Sequence, residues 1–187
     1  VTLFPVFLDL AGQRVVVVGA GEVGLRKARA LLQAGAHVTV IDPALQADAA
    51  PLAAMNPTLL SRTYQQSDLA GARLAFACTN EPAVNDTVAR DARDLGIPCN
   101  HASHPERGDL RLGATVRRGE VQVVVSTGAE LPHLAQALRD KIEAALPHDL
   151  PVAAWAARRE AALGLPESQR ALVLATLRAE IRRAVGV

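Results

Sequence analysis

The run Val15-Val16-Val17-Val18-Gly19-Ala20-Gly21-Glu22-Val23-Gly24 constrains this chain more than any other segment. Four β-branched residues lead straight into Gly-x-Gly-x-x-Gly. An uninterrupted apolar run of this kind suits a parallel strand buried on both faces. A helical pattern begins at once with Leu25-Arg26-Lys27-Ala28. Gly19 permits a tight turn, Gly21 leaves backbone N–H groups open to an anion, and Gly24 lets the helix approach the strand. The free N–H groups and the positive end of the helix dipole favour a phosphate there.

The flanks agree. Val23, Ala28, Leu31 and Leu32 are spaced for one helix face, and Gly35 is placed to end a helix over 22–34. A second strand, His37 to Ile41, stops at Asp42. A carboxylate at the end of that strand accepts hydrogen bonds from a ribose and repels a 2′-phosphate. No Lys or Arg lies between Asp42 and Arg62 to offset it. The cofactor expected is therefore NAD rather than NADP. Gly19, Ala20, Gly21, Glu22, Val23, Asp42, Pro43, Thr79 and Asn80 are the expected cofactor contacts.

Further strands are expected at 59–64, at 74–78 and at 97–100. A short helix is expected within Pro43 to Pro57, and another after Thr79-Asn80, opened by Pro82 and closed by Gly96. Alternating strands and helices at this spacing imply an α/β fold with a doubly wound parallel sheet, a Rossmann domain, over 1–112. The pattern then changes. Ala114 to Arg117 and Val121 to Ser126 flank Arg118-Gly119-Glu120 as an antiparallel hairpin. Pro132 opens a helix with Leu134, Leu138, Ile142 and Leu146 on one face. Two amphipathic helices follow at 151–163 and 167–185, the last with Leu174, Leu177, Ile181 and Val185 as its stripe. Residues 113–147 are read as a hairpin-helix dimerisation region and 148–187 as a helical C-terminal region. A lone hairpin needs a partner surface, so a homodimer is expected.

Composition excludes several partners. Aromatics are 3% of the 187 residues and the net charge is +1, which leaves neither a stacking platform nor a basic field for nucleic acid. No apolar run is long enough to span a membrane, so no membrane partner is expected. Phe4 to Leu10 is apolar but short and holds Asp9, so no signal peptide is expected. Cys78 and Cys99 read as buried free thiols of a cytoplasmic protein.

The chain resembles the precorrin-2 dehydrogenase family, which includes the N-terminal dehydrogenase/ferrochelatase part of siroheme synthase. The resemblance covers nearly the whole length. It rests on Phe4 to Leu10, on Val17 to Lys27 with its Arg26-Lys27, on Ala34 to Val40, and on Ala77-Cys78-Thr79-Asn80 with Val84-Asn85. Cys99-Asn100 and Ser126-Thr127-Gly128 with Pro132 complete it. It implies NAD-dependent oxidation of precorrin-2 to sirohydrochlorin, in some members with iron insertion to give siroheme. It implies a Rossmann domain, a dimerisation region and a helical tail. No methyltransferase domain is expected within these 187 residues.

Two departures stand out. The family places an aspartate, its presumed acid/base, where this chain has Ser103, and Ala129 and Leu131 replace a Gly and a Ser. A serine hydroxyl needs activation to act as a base. His104 and His101 are the candidate replacements, with Asp109 a third. Ser103, His104 and His101 are thus the catalytic candidates. The spacing His101-x-x-His104, even with His133, falls short of a metal site, and no metal is assigned. A tetrapyrrole substrate bears many carboxylates, and Asn100, Arg111, Thr127 and Gly128 are the candidates to bind them. Arg107, Arg117 and Arg118 lie nearby in sequence, either as part of that group or as a solvated basic edge. The alternative reading, from Ser103, is a non-catalytic NAD- or tetrapyrrole-binding protein with a degenerate site.

Overall fold

The computed structural model describes residues 3–45, 52, 54–128 and 131–187. The chain divides into two compact units, Phe4–Leu112 and Gly113–Val187.

The first unit is built on five parallel strands: β1 (Arg14–Val18), β2 (His37–Ile41), β3 (Thr58–Leu60), β4 (Leu74–Ala77) and β5 (Cys99–His101). Their spatial order is β3-β2-β1-β4-β5. β1 is central, with Val15 aligned to Val38 on one side and to Leu74 on the other. That double pairing is why its sequence is apolar without alternation. Val15 and Val17 point to the face covered by α1 (Glu22–Gln33), where they meet Ala28, Leu31, Val38, Val40, Leu74 and Phe76. Val16 and Val18 point to the other face, where α2 (Pro82–Asp94) supplies Val88, Ala89 and Ala92. The chain runs outward from β1 to β3, then returns to β4 beside β1. That reversal opens a crevice at the carboxyl ends of β1 and β4, where open α/β sheets bind ligands.

Several local expectations shift. The third strand stops at Leu60, because Arg62 N–H turns back onto the Leu60 carbonyl at 3.0 Å. The fifth strand starts at Cys99 and includes His101. Helix α2 has Glu81 at its N-cap position and Pro82 first. Val23 is exposed, not part of the buried face of α1. The short helix expected within 43–57 falls mainly outside the described residues, although Leu52 is helical and buried.

The second unit opens with the hairpin β6 (Ala114–Arg118) and β7 (Val121–Val125), paired from Ala114↔Val125 to Arg118↔Val121. Its turn needs a left-handed residue, and Gly119 supplies it at φ 57°. Helix α3 (Pro132–Ala145) packs on both strands. Arg118 donates to the carbonyls of Leu146 and Glu143 at its C-terminal end. Ala135 is its buried residue, whereas Leu134 and Leu138, on the expected apolar face, are exposed. Helices α4 (Val152–Leu163) and α5 (Glu167–Val185) pair through buried Trp155, Ala162 and Leu177. Glu180 accepts from Trp155 Nε1 at 3.0 Å and from Arg158 at 2.6 Å. Among the described residues, no helix is long and apolar enough to cross a membrane.

Candidate functional site

The glycine loop sits at the crevice. Gly19 has φ 104°, and a Cβ there would lie 2.5 Å from the Cys78 carbonyl group. A Cβ on Gly24 would lie 2.0 Å from the Gly19 oxygen. Both positions exclude a side chain for internal reasons. Gly21 differs: its φ is −69° and ψ 177°, and no atom lies within 4 Å of an added Cβ. The space there is open, and Gly21 caps α1 with no side-chain hydrogen bond. An anion is the natural partner for such a helix start. These residues fit a dinucleotide pyrophosphate.

Asp42 ends β2 and faces this loop. Its Oδ2 accepts the Ala20 N–H at 2.6 Å and its Oδ1 accepts the Ala44 N–H at 2.7 Å. The carboxylate therefore shapes the loop as well as offering lone pairs to a ribose. Pro43 follows it, exposed. Across the crevice, Thr79 N–H donates to Asn85 Oδ1 at 2.9 Å, and Asn85 Nδ2 donates to the Thr79 carbonyl at 2.9 Å. The Thr79 hydroxyl bonds Asn85 and Glu81. Asn85 is fully buried and holds the β4–α2 loop, with Asn80 exposed at its tip. Its structural task was not evident in the sequence, where Val84-Asn85 stood only as part of a resemblance.

Lys27 is a second residue whose position the sequence did not disclose. It reaches from α1 to the ends of β4 and β5. Its Nζ donates to Asn100 Oδ1 at 2.6 Å, lies 3.6 Å from Cys78 Sγ and 5.9 Å from the centre of the Phe76 ring. Asn100 Nδ2 donates to the Leu110 carbonyl at 2.8 Å, so both ends of this buried amide are engaged. Burial pushes the Cys78 thiol up, against the pull of Lys27. The Cys99 thiol is pushed up to about 12 by burial first and by Asp109 second. Neither thiol is a nucleophile near neutral pH.

The segment after β5 carries the catalytic candidates. His101 is buried; its Nδ1 accepts the His104 N–H at 3.0 Å, so Nε2 carries the proton toward Asp86 Oδ1 at 3.2 Å. Asp86 also accepts two bonds from Arg107, at 2.6 and 2.5 Å. Arg107 first and His101 second hold the Asp86 carboxyl below the usual range. His101 thus spends both nitrogens on fixing the loop. His104 packs edge-on against it, with ring centres 5.6 Å apart, and is 43% exposed. Its Nδ1 lies 3.1 Å from Glu106 Oε1. The Glu106 N–H first, and then His104, hold that carboxyl below its ordinary value. An ionised Glu106 places the proton on Nδ1 and leaves the Nε2 lone pair of the neutral ring as a base. Ser103 is exposed on the same loop. Asp109 Oδ1 accepts the Cys99 N–H at 2.6 Å, a pin for β5. Arg111 donates to the Gly108 carbonyl at 2.9 Å.

In the second unit, Thr127 Oγ1 accepts the Leu131 N–H at 3.0 Å, while Leu131, at the start of α3, gives that helix no side-chain cap. Gly128 has open space around it. Among the described residues, no group of three or more His, Cys, Asp and Glu is arranged to hold a metal ion.

A parallel sheet with an open Gly21 cradle and a carboxylate at the end of β2 defines a dinucleotide-binding protein. The profile of the family described as "Putative NAD(P)-binding" matches residues 6–114, and the chain belongs to this family. Its relatives are more specific. Siroheme synthase of Azotobacter vinelandii is 40% identical over 156 residues, which is 83% of this chain and 34% of the relative. Siroheme synthase 1 of Aeromonas salmonicida is 39% identical over 154 residues, 81% of this chain and 33% of the relative. The chain spans about a third of the length of the curated relatives it matches. A solved structure titled "SirC, precorrin-2 dehydrogenase" aligns with TM-score 0.71 over 94% of this chain and 89% of that one. At 23% identity that likeness establishes a shared fold.

Proposed function

We propose that this chain oxidises precorrin-2 to sirohydrochlorin with NAD⁺, a step of siroheme biosynthesis. The observation that carries the reading is the 40% identity to siroheme synthase over 83% of the chain, found together with the open glycine cradle. When bound, the dinucleotide accepts a hydride through its nicotinamide.

The residues of the chain hold, orient and deprotonate. The N–H groups from Gly21 to Val23 and the N-terminus of α1 bind the pyrophosphate. Asp42 accepts the ribose hydroxyls, and its charge disfavours a 2′-phosphate, which makes NAD the cofactor. Pro43, Thr79 and Asn80 line the same crevice mouth. Oxidation of a C–H bond releases a proton as well as a hydride. His104 Nε2 takes that proton, with Nδ1–H held by Glu106 and the backbone held by His101. Asn100, locked by Lys27, fixes the start of this loop. Arg111, Thr127 and Gly128 belong to the same proposal as donors to substrate carboxylates. A homodimer is part of it too, supported by exposed Phe4, Phe7, Leu134 and Leu138.

Ser103 favours one second reading, a protein that binds the dinucleotide without turnover. Comparison of wild type with S103D and H104A separates the two. Turnover by wild type that falls with H104A supports a relocated base. Turnover that appears only in S103D supports a degenerate site.

A further inference from the structure

Asp42 and Arg62 meet at one carbonyl. The Asp42 N–H donates to Leu60 O at 3.1 Å, and the Arg62 N–H donates to the same oxygen at 3.0 Å. Arg62 is the first cation in the chain after Asp42, and it starts beside the carboxylate read as the ribose ligand. An arginine in this neighbourhood is what a 2′-phosphate needs. Here its guanidinium is committed elsewhere. NH1 donates to Asp68 Oδ2 at 2.9 Å and to the Thr63 carbonyl at 3.0 Å, and NH2 donates to Asp68 Oδ1 at 2.5 Å.

The holder is more buried than the arginine. The Asp68 side chain is 7% exposed, whereas that of Arg62 is 39% exposed. Asp68 Oδ2 also accepts the Gln65 N–H at 2.8 Å, so the carboxylate stands in place within its turn. A guanidinium fork fits a carboxylate and a phosphate by the same two parallel bonds, so the two acceptors compete for it.

We infer that Asp68 is a cofactor-specificity residue: by holding the Arg62 guanidinium in a two-pronged ion pair, it withholds that group from the 2′-phosphate of NADP. The inference rests on the reading of the crevice as an NAD site. Asp42 repels the extra phosphate, and Asp68 removes the cation that would compensate.

Equilibrium binding of NADH and NADPH to the full chain tests this in wild type, D68N, R62Q and D68N/R62Q. Asparagine keeps an acceptor for the Gln65 N–H but gives up the charge. D68N is expected to raise NADPH affinity relative to NADH about tenfold. R62Q alone is expected to leave the wild-type ratio unchanged, and D68N/R62Q to return to it. An unchanged ratio in folded D68N overturns the inference, as does a gain that survives the loss of Arg62. Should D68N not fold, R62Q decides: a fall in NADPH affinity shows that Arg62 already reaches the phosphate and overturns it. Binding of neither dinucleotide by wild type overturns the cofactor reading itself, and this inference with it.

Discussion

Replacing Gly21 or Gly24 with alanine adds one methyl group to the same loop with opposite consequences. In G24A the Cβ meets the Gly19 oxygen at 2.0 Å and the Gly19 carbonyl carbon at 2.9 Å. Both obstacles are backbone at a strand end and cannot swing away. Overpacking of this kind costs about 3 kcal/mol. For a unit of this size that lowers Tm by about 10 °C. In G21A nothing lies within 4 Å, and φ −69° with ψ 177° suits any residue. Reduced freedom of the unfolded chain adds about 0.4–1 kcal/mol of stability. The poorer helix cap removes a similar amount, about 0.5–1 kcal/mol. The Tm of G21A should therefore stay within about 2 °C of wild type. Its methyl group, however, occupies the space a pyrophosphate must enter. NADH affinity should fall at least about tenfold. Thermal unfolding by circular dichroism and calorimetric titration with NADH read the two effects separately. A folded G21A that binds NADH like wild type would refute the cradle assignment, and a G24A with wild-type Tm would refute the close packing.

Three further outcomes are expected. D42A should weaken NADH binding, and also destabilise the first unit by about 1–2 kcal/mol, because the Ala20 and Ala44 N–H groups lose their acceptor; a wild-type denaturant midpoint would count against the loop-shaping role. H104A should lower turnover about 100-fold with NADH affinity unchanged, and equal turnover would remove His104 as the base. Cys99 rises from an ordinary 9.0 to about 12 in the folded chain, so the unfolded thiol ionises first and stability falls as pH climbs between those values. The slope is about 1.4 kcal/mol per pH unit. C99A should flatten it in part, since Tyr64 is also pushed up by burial and by Asp91. Identical alkaline unfolding curves for C99A and wild type would contradict the assignment.

Much of the first unit was legible because its signals are local. Four consecutive valines state that β1 is covered on both faces, and Gly19, Gly21 and Gly24 each act within a few residues. The β2 bounds follow from the same apolar run ended by Asp42. What stayed hidden depends on partners distant in sequence. Lys27 and Asn100 are 73 residues apart, and nothing in Arg26-Lys27 announces that its ammonium ends on an amide after β5. His101 looked like a candidate base because the residue type is legible, while its commitment to Asp86 and the His104 N–H is not. Leu134 and Leu138 sit at core-like spacing, yet the hairpin selects Ala135. A periodic stripe marks an apolar face without saying what covers it.

The reaction proposed for this chain is hydride transfer from a tetrapyrrole to NAD⁺. Its most direct test is a spectrophotometric assay of the purified protein with precorrin-2 and NAD⁺. One NADH is expected for each sirohydrochlorin formed, in a reaction that G21A slows. Folded protein that binds NADH yet yields neither product would contradict it.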